Sequence, residues 1–203
     1  MTENIAAPAG PAPGDRLAGA ALIAGAAGSV LAMAHHPSGG HGGALGPIVH
    51  GAMILLLGAI AYGFAWLGLR RGVRRPPVLA GLIAYGVSLF VHVGAATING
   101  FVVPALAAPG AGAVSHDIFL LAWESNQALA RLGVAATGLA FLLWSLDFLR
   151  RPGAEARVVG ALGLIAGAVP IALLAGGVLR MDVAGAFIVY AHHAVWAALG
   201  GLH

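Results

Sequence analysis

Residues 85–104 read YGVSLFVHVGAATINGFVVP, an apolar stretch long enough to cross a bilayer that nevertheless contains a histidine and an asparagine. Tyr85, Ser88, His92, Ala95 and Asn99 recur at spacings of three and four, so on a helix they form one stripe. Lipid offers no hydrogen-bond partner to such side chains. The stripe is therefore expected to face protein or a water-lined cavity.

Composition indicates that the rest of the chain also lies in a membrane. Of its 203 residues, 60% are hydrophobic and 8% are charged, whereas a soluble domain has about 25% charged residues. The chain has no cysteine, so disulfides, iron–sulfur clusters and thiolate metal sites are excluded. Any bound metal needs His, carboxylate, Met or backbone ligands. The basic surplus consists of arginine alone, and no nucleic-acid-binding motif accompanies it.

The apolar runs predict an all-α integral membrane bundle of six transmembrane helices. Residues 1–15, rich in Ala, Pro and Gly, are predicted to form a flexible N-terminal tail, and residues 16–203 a single transmembrane domain. The predicted spans are 17–34, 47–69, 78–107, 118–149, 158–179 and 183–202. The third run is longer than a straight crossing needs, so it either tilts or breaks near Asn99, Gly100 and Pro104.

The arginines predict the orientation of the bundle. Seven of the ten lie in the connectors 70–77 and 150–157, which must be on the same side of the membrane. The positive-inside rule therefore predicts that these connectors and both termini are cytoplasmic. The connectors that carry His36 and His116 then face outward.

The histidines gather toward that outer face. The helical rise places His50 and His92 about 5 and 9 Å below the outer surface of the hydrocarbon core, on consecutive antiparallel helices. His36 and His116 are expected at the rim, with Glu124 close to the same level. Since imidazole is the commonest protein ligand for transition metals, the sequence predicts a Cu, Zn or Fe site. The candidate ligands are His36, His50, His92, His116 and Glu124.

A b-type haem is the alternative cofactor, because histidine is a usual axial ligand for haem iron. Such a haem needs two imidazoles that face each other across the bundle. His92 and His193 are the predicted pair, with His192 as the neighbouring candidate. Two consecutive histidines on a helix point about 100° apart, so His192 and His193 do not face the same way.

Each candidate also has a purely structural interpretation. A buried histidine such as His92 often makes only an interhelical hydrogen bond. Asn99, Gln127 and Arg131 are candidates for a polar pathway. Alternatively, Glu124 and Arg131 only anchor the fourth span at the headgroups, with Arg131 either pairing with Glu124 or snorkelling.

Three sequence blocks resemble those of small, uncharacterised bacterial polytopic inner-membrane proteins. They are LAMAHHP at residues 31–37, IVHG at residues 48–51 and INGFVVPAL at residues 98–106. The resemblance implies a multi-pass protein of the bacterial inner (cytoplasmic) membrane. It implies no activity and no role for any residue.

Three functions follow as hypotheses. The leading one is a periplasm-facing, histidine-lined site that binds a transition metal or haem for metal handling or electron transfer. The second is a small carrier or proton-linked channel. The third is a non-catalytic accessory or assembly subunit, whose polar stripes contact other subunits of a membrane complex or a second copy of the chain. In all three, the lipid bilayer is the main partner.

Overall fold

The computed structural model describes residues 13–36, 45–108 and 114–202 of the chain. Six of its helices are long and apolar enough to cross a membrane, and no strand occurs within the described ranges. They are α1 (Pro13–Ala34), α2 (Leu45–Arg71), α3 (Pro76–Leu106), α4 (His116–Leu149), α5 (Ala154–Ala175) and α6 (Val183–Gly201). The predicted six-span, all-α fold is confirmed, and the chain is a multi-pass membrane protein.

The first helix begins earlier than predicted. Residues 1–12 of the predicted tail lie outside the described part of the chain, but residues 13–15 belong to α1. Asp15, in the first turn, accepts from Arg70 Nε at 2.9 Å and from Trp66 Nε1 at 3.0 Å. These contacts tie the start of α1 to the end of α2, which explains why the helix extends beyond its apolar run.

The third span does not break, although its weak point lies where the sequence predicts one. An α-helix, Pro76–Thr97, continues through a π-helical segment, Ile98–Val102, into a last α-helical turn, Val103–Leu106. Pro104 has no N–H, and its ring conflicts with the carbonyl group four residues earlier in a regular α-helix. The wider π-helical turn accommodates the proline and keeps the helix continuous.

The six helices close into a ring. Each packs on its neighbours in sequence, and α6 packs back on α1. Small residues allow a close approach between α4 and α5: a Cβ atom on either Gly138 or Gly167 would collide with the carbonyl oxygen of the other. These two glycines therefore allow the two helices to pack closely at this crossing.

This crossing gives a first prediction. Gly138→Ala is expected to lower the free energy of unfolding by about 1–3 kcal/mol, because a backbone carbonyl cannot move aside as a side chain can. Gly86→Ala is the matched control, since a Cβ atom at Gly86 meets nothing within 4 Å. The measurement is unfolding by SDS titration, followed by circular dichroism. Equal stability of the two variants would contradict the close approach.

One half of the bundle is filled by an aromatic core. The indole rings of Trp144 and Trp196 are parallel to within 8°, with centroids 6.1 Å apart. Their N–H groups donate to the carbonyl oxygens of Val78 at 3.3 Å and Val159 at 2.9 Å, so neither buried indole N–H is unpaired. The full set of rings is Phe64, Tyr85, Phe141, Trp144, Phe148 and Trp196.

Beyond this aromatic core, three arginines surround one aspartate. Asp147, in the last turn of α4, accepts from Arg71 Nη1 at 3.2 Å, Arg75 Nη1 at 3.0 Å and Arg151 Nε at 3.3 Å. The Arg71 guanidinium carbon also lies 3.4 Å from the centre of the Phe148 ring, a cation–π contact. We call this end of the bundle the arginine end, and the opposite end the histidine end.

Candidate functional site

A cavity of about 630 Å³ lies at the histidine end, between α1, α2, α3, α4 and the start of α6. Its volume is within the range of small-ligand sites, about 300–1,000 Å³. We call it the histidine cavity. Most of its wall is apolar, and its side chains with polar groups include His36, His50, His92, Asn99, His116, Asn126, Gln127, Asp182 and Tyr190.

Two imidazoles meet in the wall of this cavity. His36 Nε2 and His50 Nε2 are 3.1 Å apart, and the two rings lie edge to face with centroids 4.8 Å apart. The side-chain nitrogen of Asn99 lies 3.3 Å from the same His50 nitrogen. Side chains from the end of α1, from α2 and from the π-helical segment of α3 therefore converge on one buried atom.

The hydrogen bonds determine the tautomer of His50. Its Nδ1 lies 2.8 Å from the carbonyl oxygen of Gly46, which can only accept, so Nδ1 carries the proton. Nε2 is then unprotonated, and His36 and Asn99 both donate to it. Histidines that bind metals are usually held in this way, by a ring N–H that donates to a backbone carbonyl or a carboxylate.

His92 is held in a similar way. Ser88 Oγ donates to the Gly133 carbonyl oxygen at 2.9 Å, so it accepts from Thr137 Oγ1 at 2.5 Å and from His92 Nδ1 at 3.0 Å. His92 Nε2 is therefore also unprotonated. The ring occupies space that a side chain at position 133 would fill, since a Cβ atom there would lie 2.6 Å from it. The predicted stripe on α3 thus faces the bundle interior, as expected.

The predicted haem pair lines a second, smaller cavity deeper in the bundle. His92 and His193 both contribute to its wall, together with Tyr85, Ser88 and Tyr190 among others. Its volume is about 40 Å³, which suits one or a few water molecules rather than a porphyrin. His193 Nε2 is buried and has no hydrogen-bond partner among the described residues. The arrangement does not fit a haem between these histidines.

The other predicted residues are divided between the cavity and the surface. His116 is exposed and lines the histidine cavity, whereas Gln127, three turns further along α4, is buried and donates to the Met181 carbonyl oxygen at 3.0 Å. His192 lies apart, with its Nε2 atom 3.5 Å from the Ile165 carbonyl oxygen on α5. Residues 37–44 of the histidine-rich connector lie outside the described ranges.

Glu124 and Arg131 do not join the site. Both are exposed, and neither lines the histidine cavity. Within the described ranges no ion pair includes either of them, so the predicted anchoring pair does not form. Asn99 and Gln127 line the cavity without Arg131, and the three do not form one continuous pathway.

The cavity also contains two potential ligands that the sequence prediction did not name. Met33 and Met53 are buried and line it, each three residues from a histidine of the pair. The patterns M-x-x-H at 33–36 and H-x-x-M at 50–53 are the signal that could have identified them. In the described part of the chain, no group of three or more His, Asp or Glu side chains is placed to hold a metal ion. A site here therefore needs ligands of other types beside the imidazoles.

Comparison of the chain with protein-family models, with curated proteins and with solved structures gives no match. A function must therefore be argued from the chemistry of the site.

Proposed function

We propose that this chain is a bacterial inner-membrane protein that binds a transition-metal ion in the histidine cavity, on the periplasmic side, and handles that ion there. The observation that supports this is the separation of 3.1 Å between His36 Nε2 and His50 Nε2. Two nitrogens bound to one tetrahedral metal at about 2.0–2.1 Å are about 3.3–3.4 Å apart. The two rings therefore need to separate only slightly to hold one ion.

The proton balance of binding is simple. His50 already presents an unprotonated Nε2, because its proton is on Nδ1 and donates to Gly46. His36 must free its Nε2 of the proton that it donates to His50, by a shift of that proton to Nδ1 if the ring is neutral, or by its release to water if the ring is an imidazolium. The amide of Asn99 can turn its oxygen instead of its nitrogen toward the ion. The site thus exchanges hydrogen bonds for coordination bonds with little movement.

The ligand types favour a transition metal over Ca²⁺ or Mg²⁺. Hard divalent cations prefer carboxylate, carbonyl and water oxygens. The described lining of the histidine cavity includes one carboxylate, that of Asp182, and its Oδ1 accepts from Gly185 N at 2.8 Å as the N-cap of α6. Imidazoles predominate among the remaining polar groups, and they suit Zn, Cu, Fe and Ni.

The charge distribution supports the proposed orientation. The arginine end carries Arg71, Arg75 and Arg151, from the two connectors that hold most of the positive charge. If the positive-inside rule applies, this end is cytoplasmic and the histidine cavity opens toward the periplasm.

A carrier or channel is less well supported by the same structure. The half of the bundle between the deeper cavity and the arginine end is filled by the aromatic core and closed by the cluster around Asp147. An ion in the histidine cavity is therefore taken up and released on one side of the membrane. Binding and hand-over at that side is the function that the site supports best.

The test is metal binding by the purified protein. Elemental analysis and absorption spectroscopy of the full chain in detergent are expected to show one transition-metal ion per chain after loading with Zn(II) or with copper. His50→Leu is expected to weaken binding by more than the about 10- to 100-fold that loss of an outer-shell partner costs. The reason is that it removes the nitrogen on which the site converges.

His192→Leu is the matched control, because this histidine is also on a transmembrane helix, but its Nε2 atom faces the Ile165 carbonyl oxygen on α5 rather than the cavity. It should bind metal as the wild type does. A wild-type protein that takes up no stoichiometric metal, or a His50→Leu variant that binds as tightly as His192→Leu, would contradict the proposed function.

A further inference from the structure

The methionines of this chain are concentrated at one place. Met33, Met53 and Met181 all line the histidine cavity, with 4%, 6% and 6% of their surface exposed. The fourth methionine of the sequence is Met1, which lies outside the described residues. Elsewhere the buried apolar positions are filled by other residue types. Two of the three described methionines, Met33 and Met53, are each three residues from a histidine of the imidazole pair.

Two of these methionines have the same position relative to the pair. Met33 precedes His36 by three residues, and Met53 follows His50 by three residues. Met53 and His50 therefore lie on the same face of α2, whereas His36 lies just beyond the end of α1 and donates its backbone N–H to the Met33 carbonyl oxygen at 3.1 Å. The two helices are antiparallel, so the end of α1 and the start of α2 lie at the same end of the bundle. Both methionines are therefore about one helical turn deeper in the bundle than the two histidines.

Met181 has a different role. Its side chain packs with Val134 and Val189, and its carbonyl oxygen accepts from Gln127 at 3.0 Å. It belongs to the contact between α4 and the start of α6. It is therefore left out of the ligand set below.

Two properties of such a site select the ion. Thioether sulfur is a soft donor that suits Cu(I), whereas the borderline Zn(II) ion is bound in proteins mainly by Cys, His and carboxylate ligands. Imidazole and thioether are both neutral, so they do not compensate the charge of the ion. Because the cost of moving an ion out of water rises with the square of its charge, a monovalent ion pays about a quarter of what a divalent ion does.

We infer that the ion bound in this cavity is Cu(I), held by the imidazoles of His36 and His50 and the thioethers of Met33 and Met53. The inference rests on the proposed function, that the histidine cavity binds a transition metal. It adds the identity and oxidation state of the ion and two ligands.

The test uses the full chain in detergent and the double variant Met33→Leu/Met53→Leu, which conserves side-chain volume. Affinity for Cu(I) is measured without oxygen by competition with a chromogenic Cu(I) chelator, and affinity for Zn(II) by a parallel titration. The double variant is expected to lose at least about 10- to 100-fold in Cu(I) affinity and to keep its Zn(II) affinity. Leu143→Met is the matched control, because Leu143 packs against the aromatic core outside the histidine cavity; it is expected to bind Cu(I) as the wild type does.

X-ray absorption of the Cu(I)-loaded wild type gives a second reading that needs no variant. It is expected to show both nitrogen and sulfur neighbours of copper. Equal Cu(I) affinity of the wild type and a folded double variant, or a spectrum without sulfur, would overturn the Cu(I) assignment. If Zn(II) binding still depends on His50 in that case, the proposed function stands. If the wild type binds neither ion, both proposals are overturned.

Discussion

Asp147→Asn is expected to lower the free energy of unfolding by about 3–5 kcal/mol, the cost of removing one partner of a buried ion pair. The reason lies in Arg71, whose side chain is 6% exposed and whose Nη1 bonds to Asp147 at 3.2 Å. Its Nε is already buried without a hydrogen-bond partner among the described residues. Asparagine keeps one acceptor oxygen but carries no charge, so the buried guanidinium retains a neutral acceptor and the Phe148 ring but loses its counter-ion.

The other two arginines provide the control. The side chains of Arg75 and Arg151 are 56% and 35% exposed, so water solvates them when Asp147 is lost. Arg75→Ala should therefore cost only about 0–1 kcal/mol. Both variants are compared with the wild type by SDS titration in detergent.

A double variant separates the loss of charge pairing from the loss of packing. Arg71→Met with Asp147→Leu replaces the buried pair by apolar groups of similar size, an exchange that is often neutral. It is expected to recover most of the stability lost in Asp147→Asn. If Asp147→Asn is as stable as Arg75→Ala, the arginine cluster is a solvated surface feature and does not hold the helix ends together.

The number and order of the helices, and one polar face, could be predicted from the sequence. Hydropathy identified six spans because lipid requires about twenty apolar residues per crossing. The stripe on α3 was predicted because polar side chains in an apolar run must face protein, and Ser88 and His92 are indeed buried and hydrogen-bonded to each other. Both predictions rest on the same fact, that the hydrocarbon core of the membrane excludes charged and unpaired polar groups.

The role of Asp147 could not be predicted in the same way. It is a single acidic residue at the end of an apolar run. The positive-inside rule already accounted for the neighbouring arginines, so they gave no reason to expect an ion pair. Its main partner, Arg71, is 76 residues away in sequence. Only the packing of α2 against α3 and α4 brings the two together, and no local pattern records that contact.

The candidate site shows a second limit of prediction from the sequence. The depth of a residue follows from the rise per residue, so the levels of His50 and His92 could be estimated. The direction in which each side chain points depends on the rotation of its helix, and helices that are apolar on all sides give little signal for that rotation. This is why His192 and His193 were both candidates, although they lie on different faces of α6, and why Met33 and Met53 were not.

Gly100→Ala is expected to weaken metal binding by about 10- to 100-fold although it removes no ligand, the effect usually seen when a residue that orients a ligand is lost. Gly100 lies in the π-helical segment of α3, directly against His50. A Cβ atom there would collide with His50 Cβ and would lie 2.7 Å from its Cγ. Either the imidazole turns away from His36 and Gly46, or α3 moves away from α2.

The overpacking is also expected to cost about 1–3 kcal/mol of stability, so affinity has to be compared at matched folded fractions. Gly58→Ala is the matched control: it lies on the same helix as His50, and a Cβ atom there meets nothing within 4 Å. Both variants are titrated with Zn(II) and Cu(I) in detergent, and unfolding is followed by circular dichroism. If Gly100→Ala is destabilised but binds both ions as tightly as Gly58→Ala, the position of His50 does not set the affinity. Either the metal is then bound outside the His36–His50 pair, or α3 has moved away from α2 and left that pair in place. His50→Leu separates the two cases, because it weakens binding only in the second.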